Sequence, residues 1–274
     1  MASPGNAYVM GHTDRERRRL SVQAAVLNPL TDSFLRRAGI SAGMNVLEFG
    51  CGVGEVSLIA ARLVGPQGSV HALDIDAGAL DVARDRIRSA GHDHVIFEQA
   101  DIHARNPAQL YDAVIGRHIL IHTPDALAIL KKAVSLIHVG GVIAFQEYDL
   151  SRTMGGYPDL PMMTRIADTF TEFFTRAVPC ANVGAQLPHL LHLAGLTTPE
   201  CRAESIVSGG PHSPFYEWFV ETFRSLQPRM KAIGMTVPDV DLDLLPGLLR
   251  AEAVEKGAFT SGPLMYGAFA RKPA

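Results

Sequence analysis

Hydrophobic positions between residues 44 and 149 alternate between short continuous runs and stripes of helical period. Val46, Leu47 and Phe49 lie in a run at 45–49 that suits a strand buried on both faces. Val56, Leu58, Ile59, Ala60, Ala61 and Leu63 then give Glu55–Val64 the apolar face of a helix. Short runs at 69–73, 94–97, 112–115 and 142–146 predict strands two to five, with helices at about 77–90 and 125–137. The turn Gly65-Pro66-Gln67-Gly68 introduces strand two, and Gly91 stops the helix before strand three. Gly140-Gly141 is expected to close the next helix and release strand five. Strand and helix in alternation predict a parallel sheet covered on both faces.

Beyond residue 149 the pattern changes. Residues 151–160 are rich in Gly, Pro and polar groups and lead to a helix at Pro161–Ala177. Its Met163, Ile166, Phe170, Phe173, Phe174 and Ala177 recur at helical spacing, a stripe that either lines a pocket or packs as core. A helix at 185–194 and a strand at 200–207 return to the sheet. A second insertion, 214–256, holds two helical segments, the first with Phe215, Trp218, Phe219, Phe223, Leu226 and Met230. Residues 262–270 supply a last strand. The domain reading is an N-terminal helical segment at 1–40, a core at 41–150, and a remainder at 151–274 with cap insertions at about 155–180 and 212–257.

Composition narrows the class. At 274 residues, 47% hydrophobic and 19% charged, the chain suits a globular α/β fold. No apolar run approaches the ~18 residues that cross a bilayer, and the N-terminus is polar where a signal peptide needs an apolar core, so a cytoplasmic protein without a membrane partner is expected. A net charge of −3 offers no attraction for nucleic acid and points to a small-molecule substrate. The basic run Arg15-Glu16-Arg17-Arg18-Arg19 reads as the solvated face of an N-terminal helix. Cys51, Cys180 and Cys201 are odd in number and scattered, against a disulfide framework. Monomer and homodimer are both open.

Candidate chemistry begins at Glu48-Phe49-Gly50-Cys51-Gly52-Val53-Gly54. Glycine permits positive φ and close passage of the backbone past a ligand. A dinucleotide fingerprint needs its third glycine at position 55, where this chain has Glu55. An acid at the mouth of the loop repels pyrophosphate, so Glu48 and Glu55 argue for a cationic or neutral ligand. S-adenosyl-L-methionine, with a sulfonium and an ammonium and no phosphate, fits. Asp74 closes strand two, where a carboxylate can accept from both ribose hydroxyls, and Asp76 competes with it. Asp101 follows strand three, placed for an adenine amino group, with the Ile102 N–H for a ring nitrogen; a helix-capping role for Asp101 is the alternative.

These marks resemble the class I S-adenosylmethionine-dependent methyltransferases. Glu48-x-Gly50-x-Gly52-x-Gly54 resembles their first motif, Asp74 the ribose-binding acid, and Asp101-Ile102 the adenine-binding pair. Tyr111-Asp112-Ala113-Val114-Ile115 resembles their fourth-strand motif, and Val139-Gly140-Gly141-Val142-Ile143 their Pro-Gly-Gly turn with Val139 in place of proline. The resemblance covers about residues 40–149 and weakens toward both ends. It implies a doubly wound, Rossmann-like seven-stranded sheet with the last strand antiparallel and helical cap insertions. It also adds Ile75 and Arg117 to the cofactor-binding set. The segment Tyr8-Val9-Met10-Gly11-His12 and the helix with Arg19, Leu20 and Gln23 are similar to bacterial small-molecule methyltransferases of secondary metabolism. There such a segment folds over the cofactor, which makes Tyr8 and Gln23 candidates for its methionine part; a plain docking helix is the other reading.

The implied activity is methyl transfer to O, N or C of a small aromatic or apolar metabolite, with S-adenosyl-L-homocysteine as product. In-line displacement needs positioning above all, and a base only where the acceptor must lose a proton. His118 and His122, after strand four, are the catalytic candidates; their i, i+4 spacing also resembles a helical metal pair, but Ile119-Leu120-Ile121 lacks the glutamate of a metalloprotease, and no metal is expected. Glu147-Tyr148-Asp149 ends strand five at the same crevice. A second reading keeps the cofactor without the transfer, as a cyclase or binding protein. A nicotinamide oxidoreductase is disfavoured by Gly54-Glu55.

Overall fold

The computed structural model describes residues 14–103, 109–152 and 154–274, with side chains from residue 22 onward. In chain order the elements are α1 (Asp14–Arg37), β1 (Asn45–Phe49), α2 (Glu55–Val64), β2 (Ser69–Asp74), α3 (Ala77–Ser89) and β3 (Val95–Gln99). Then come β4 (Tyr111–Arg117), α4 (Ala126–Ser135), β5 (Ile137–Asp149), β6 (Gly155–Tyr157), α5 (Pro161–Ala177) and α6 (Val183–Leu193). The chain ends with β7 (Glu200–Glu204), β8 (Val207–Gly209), α7 (Phe215–Ala232), α8 (Leu245–Glu255), β9 (Phe259–Ser261) and β10 (Leu264–Arg271). They fall into two compact units. The sheet unit takes Leu27–Asp149, Asn182–Glu204 and Met265–Ala274; the helical unit takes the described residues up to Val26, Leu150–Ala181 and Ser205–Leu264.

The sheet unit is built on seven strands in the order β3-β2-β1-β4-β5-β10-β7. β1 to β5 pair in parallel, and β10 runs antiparallel, so the expected doubly wound sheet is present. β1 is central, which is why Val46, Leu47 and Phe49 are all 0% exposed. α2 buries Val56, Ile59, Ala60 and Leu63 in the core with Val46, Val70, Ile115 and Val142. At ~25 cal/mol per Å² the Val, Ile and Leu side chains among these contribute about 1.5–3 kcal/mol each when fully buried. Side-chain caps start two helices: Asp76 accepts from the Gly78 and Ala79 amides, and Asp125 from Ala128.

Two sequence expectations differ here. Helix α4 stops at Ser135 and β5 begins at Ile137, so Gly140-Gly141 lies inside the strand. The glycines serve a bulge: the register jumps from Tyr111↔Ile137 to Ala113↔Val142, and a Cβ on Gly141 would sit 2.9 Å from the His138 carbonyl oxygen. The single strand at 200–207 is two, with β7 in the large sheet and β8 in a separate one.

The helical unit carries a small antiparallel sheet, β6-β9-β8, and the helices α5, α7 and α8. Strands of three residues show too little alternation for a period-2 signal, so the pattern missed β6 and β9. The α5 stripe is core: Phe170 packs edge-on against Phe219 at 5.3 Å and Phe223 at 5.6 Å, and Met163, Ile166 and Phe173 are at most 1% exposed. Phe174 and Ala177 of the stripe are half-buried. Among the described residues no helix is long and apolar enough to cross a membrane.

Candidate functional site

The glycine loop leaves β1 and is tied down at once by β2. The Cys51 N–H donates to the Leu73 carbonyl at 2.9 Å, the Gly52 N–H to Asp74 Oδ2 at 2.7 Å, and the Gly54 N–H to the Cys51 carbonyl at 2.9 Å. Gly50, Gly52 and Gly54 have φ of +64°, +52° and +81°. A loop built to hold phosphate points its amides at the ligand, whereas three of these are already bonded within the protein. Space divides the glycines as well. A Cβ on Gly50 would lie 2.5 Å from Ile119 Cδ1 and one on Gly54 3.0 Å from Ala83 Cβ, but one on Gly52 would meet nothing within 4 Å. The open face of the loop is therefore at Gly52.

Asp74 stands beside that face. Its Oδ1 accepts from the Asp76 N–H at 3.0 Å, and a carboxylate of about four lone-pair sites keeps capacity for further donors. Asp76 instead caps α3, which separates the two competing acids by role. Ile75 between them is 64% exposed, an apolar surface beside the carboxylate. The Ala100 N–H donates to the Asp74 carbonyl at 3.0 Å, which brings the end of β3 to the same place. Asp101 is exposed, with its Oδ1 accepting from the His103 N–H at 2.9 Å, and Ile102 is buried. Residues 104–108 lie outside the described residues, so the helix that Asp101 would cap in its alternative role is not described. A carboxylate with room for further donors, an open glycine, an apolar face and a second acid suit a phosphate-free nucleoside, so the residues fit S-adenosylmethionine.

The two acids flanking the loop face inward. Glu48 is 2% exposed and accepts from Ser57 Oγ at 2.5 Å; burial pushes its carboxyl up to about 7, against the Ser57 bond and the Arg117 charge. Glu55 is paired with Arg86 at 2.5 Å and accepts from Asn28 Nδ2 at 2.9 Å. Its charge is met inside the protein, so the case against pyrophosphate rests on the bonded amides and not on repulsion by Glu55. Asn28 turns its other atom to Arg117, whose Nη1 donates to Asn28 Oδ1 at 3.1 Å and Thr31 Oγ1 at 2.9 Å. Burial lowers the Arg117 pKa from its ordinary value, with Tyr148, Glu55 and Glu48 opposing. Burial also raises the Cys51 thiol far above its usual range, which leaves it an inert packing group.

Past Arg117 the chain turns sharply. His118 has φ +56°, its N–H donates to the Gln146 carbonyl at 2.9 Å, and its ring stacks on Tyr148 at 4.2 Å and 20°. Leu120–His122 is a single 3-10 turn, so His118 and His122 do not share a helix face and the metal-pair geometry is not formed. Among the described residues no group of three or more His, Cys, Asp or Glu could hold a metal ion. Glu147, 0% exposed, accepts from the Ile119 N–H at 2.8 Å, Leu120 at 2.7 Å and Ile121 at 3.4 Å.

The structure thus gathers Gly50, Gly52, Gly54, Asp74, Ile75, Asp101 and Ile102 at the ends of β1, β2 and β3, and His118 at the end of β4. Glu48 and Arg117 sit behind this surface, in the polar network. Gln23 belongs to the helical unit. Tyr8 and its segment, and the Arg15–Arg19 side chains, lie outside the described residues. Sequence reasoning missed Asn28, Thr31 and Arg86, whose partners are 27 to 89 positions away along the chain.

The model of a family described as "Methyltransferase domain" matches residues 40–194, more than half of the chain. Methyltransferase GfsG from Streptomyces halstedii is 32% identical over 127 residues, 46% of this chain and 45% of that protein. Aklanonic acid methyltransferase DauC from Streptomyces sp. strain C5 is 36% identical over 120 residues, 43% of this chain and 54% of the relative. The chain spans about half the length of these curated relatives. A putative methyltransferase from Bacillus halodurans C-125 shares the fold with a TM-score of 0.57 at 17% identity, over 89% of this chain and 99% of that one. The family model covers more than half of the chain and the relatives are methyltransferases by name, so the chain belongs to the methyltransferase-domain family, as a class I S-adenosylmethionine-dependent type.

Proposed function

We propose that this protein binds S-adenosyl-L-methionine at the ends of β1, β2 and β3 and transfers its methyl group to O, N or C of a small aromatic or apolar metabolite, releasing S-adenosyl-L-homocysteine. The observation that carries the reading is the Asp74 carboxylate, held by the Gly52 and Asp76 amides beside an open glycine while the Cys51 and Gly54 amides are bonded internally. Asp74 accepts from the ribose hydroxyls, Ile75 lies against the adenine, and Asp101 with the Ile102 N–H reads its edge. Glu48 and Arg117 hold the loop from behind. When bound, the sulfonium supplies an electrophilic methyl; the protein's part is orientation, exclusion of water and, where the acceptor carries a proton, its removal by His118. A relative named for aklanonic acid supports a small-metabolite acceptor, and the two Streptomyces relatives support a role in secondary metabolism. The same reading makes it a cytoplasmic enzyme, as monomer or homodimer, without a nucleic-acid or membrane partner.

Calorimetry on the intact protein with S-adenosyl-L-homocysteine tests the site. Binding is expected, with an affinity at least about tenfold weaker in Asp74→Ala, since hydrogen bonds to a charged group contribute about 1.5–3 kcal/mol. No binding by the folded protein, or equal affinity in the variant, overturns the reading. Incubation with S-adenosyl-L-methionine and a panel of phenolic, amine and carbon-acid acceptors separates transfer from a cyclase or a binding role: release of S-adenosyl-L-homocysteine supports transfer, and binding without release on any acceptor supports the other.

A further inference from the structure

Glu147 occupies a costly position that the cofactor site does not use. Its carboxyl group is fully buried, and burial pushes it up to about 8 although three backbone N–H bonds favour the anion. A packed apolar side chain at such a position is often neutral or stabilising for a fold, so stability alone gives no reason for an acid here. What the acid does is collect the amides of Ile119, Leu120 and Ile121, a concave nest of consecutive N–H groups. That segment begins immediately after His118, a non-glycine residue in the left-handed region, a conformation that persists only where surrounding structure holds it. Glu147 itself is wedged from behind: a Cβ on Gly184 of α6 would lie 2.5 Å from the Glu147 carbonyl oxygen, so the helix rests directly on this stretch of β5. The next residue, Tyr148, supplies the ring on which His118 stacks at 4.2 Å.

We propose that Glu147 is a positioning residue, whose carboxyl group clamps the turn at 119–121 and thereby fixes the His118 imidazole against Tyr148 at the acceptor side of the site. The inference depends on the functional reading above only for what His118 then does.

Two variants of the intact protein test it. Glu147→Met removes the acceptor with similar volume, and Glu147→Gln keeps an oxygen for the Ile119 and Leu120 amides. In Glu147→Met the amides of 119–121 are expected to exchange with deuterium about tenfold faster or more, as the loss of ~1.4 kcal/mol of hydrogen bonding predicts. The His118 ring protons, displaced upfield in NMR by the stacked Tyr148 ring, are expected to move toward their unstacked position. Melting temperature and S-adenosyl-L-homocysteine affinity report the rest of the fold, and affinity is expected to stay within about threefold, under ~1 kcal/mol. Glu147→Gln is expected to restore both turn signals. Unchanged exchange and unchanged His118 signals in a folded Glu147→Met overturn the proposal. Should that variant fail to fold, the wild-type protein decides: Ile119 and Leu120 amide protons downfield of random coil support the clamp, and random-coil positions overturn it. Failure of the wild type to bind S-adenosyl-L-homocysteine counts against the functional reading alone, because the turn signals are read without ligand.

Discussion

At the scale of single residues, the three loop glycines answer three different constraints. Gly50 is needed because Ile119 fills the space a Cβ would take, Gly54 because a Cβ there would lie 3.0 Å from Ala83 Cβ of α3, and Gly52 because its backbone is left-handed beside open space. The difference predicts two phenotypes. Gly50→Ala is expected to lower the melting temperature, with a clash and a positive φ together costing about 1–3 kcal/mol. Gly52→Ala carries only the φ strain of about 1 kcal/mol, and its methyl group projects into the open space that the proposed cofactor would occupy. It is expected to stay folded and to bind S-adenosyl-L-homocysteine at least about tenfold more weakly, which is ~1.4 kcal/mol. Thermal melts and calorimetry on the two variants check this; full affinity in Gly52→Ala places the ligand elsewhere. The spacing of these glycines was legible because it is local. The inward role of Glu55 was not, because Arg86 is 31 positions further along the chain.

At the scale of elements, the second half of α1 is joined to the sheet by polar atoms. Asn28 links Glu55, at the start of α2, to Arg117, at the end of β4, with one donor and one acceptor. Asn28→Ala removes both bonds and leaves the partly buried guanidinium with Thr31 as its remaining partner in this network. The expected cost is about 2 kcal/mol, read as a fall in melting temperature of roughly 4–8 °C. A melting temperature within a degree of wild type sinks the idea that this relay anchors α1. Element limits followed the sequence where a local signal marks them: α2 and α5 begin and end where their apolar stripes do. The start of β5 escaped because Gly140-Gly141 signals a helix stop and a strand bulge alike, and only pairing with β4 tells them apart.

At the scale of the whole molecule, two buried acids link stability to pH. Burial raises Glu48 to about 7 and Glu147 to about 8, both from an ordinary value of 4.5. The folded chain holds these protons where the unfolded chain has released them, so the stabilising contribution is complete below pH ~4.5 and is lost as pH rises through about 7 and 8. The melting temperature is expected to fall between pH 5.5 and 8, and to fall less steeply in Glu48→Gln, which carries no proton to lose. Parallel slopes in the two proteins count against a raised Glu48. The sequence by itself determined the class of fold, the order of strands and helices through β5 and the positions of the loop and of the acids at the strand ends. These depend on periodicity, turn chemistry and motif spacing, all of which act over a few residues. The tertiary structure alone decided that β10 lies between β5 and β7, that the α5 stripe is core, that Glu48 and Glu55 face inward, and that Glu147 gathers the turn after His118. Each of these is a contact between segments far apart in the chain, chosen by packing and by where buried polar groups find partners, and no local pattern encodes that choice.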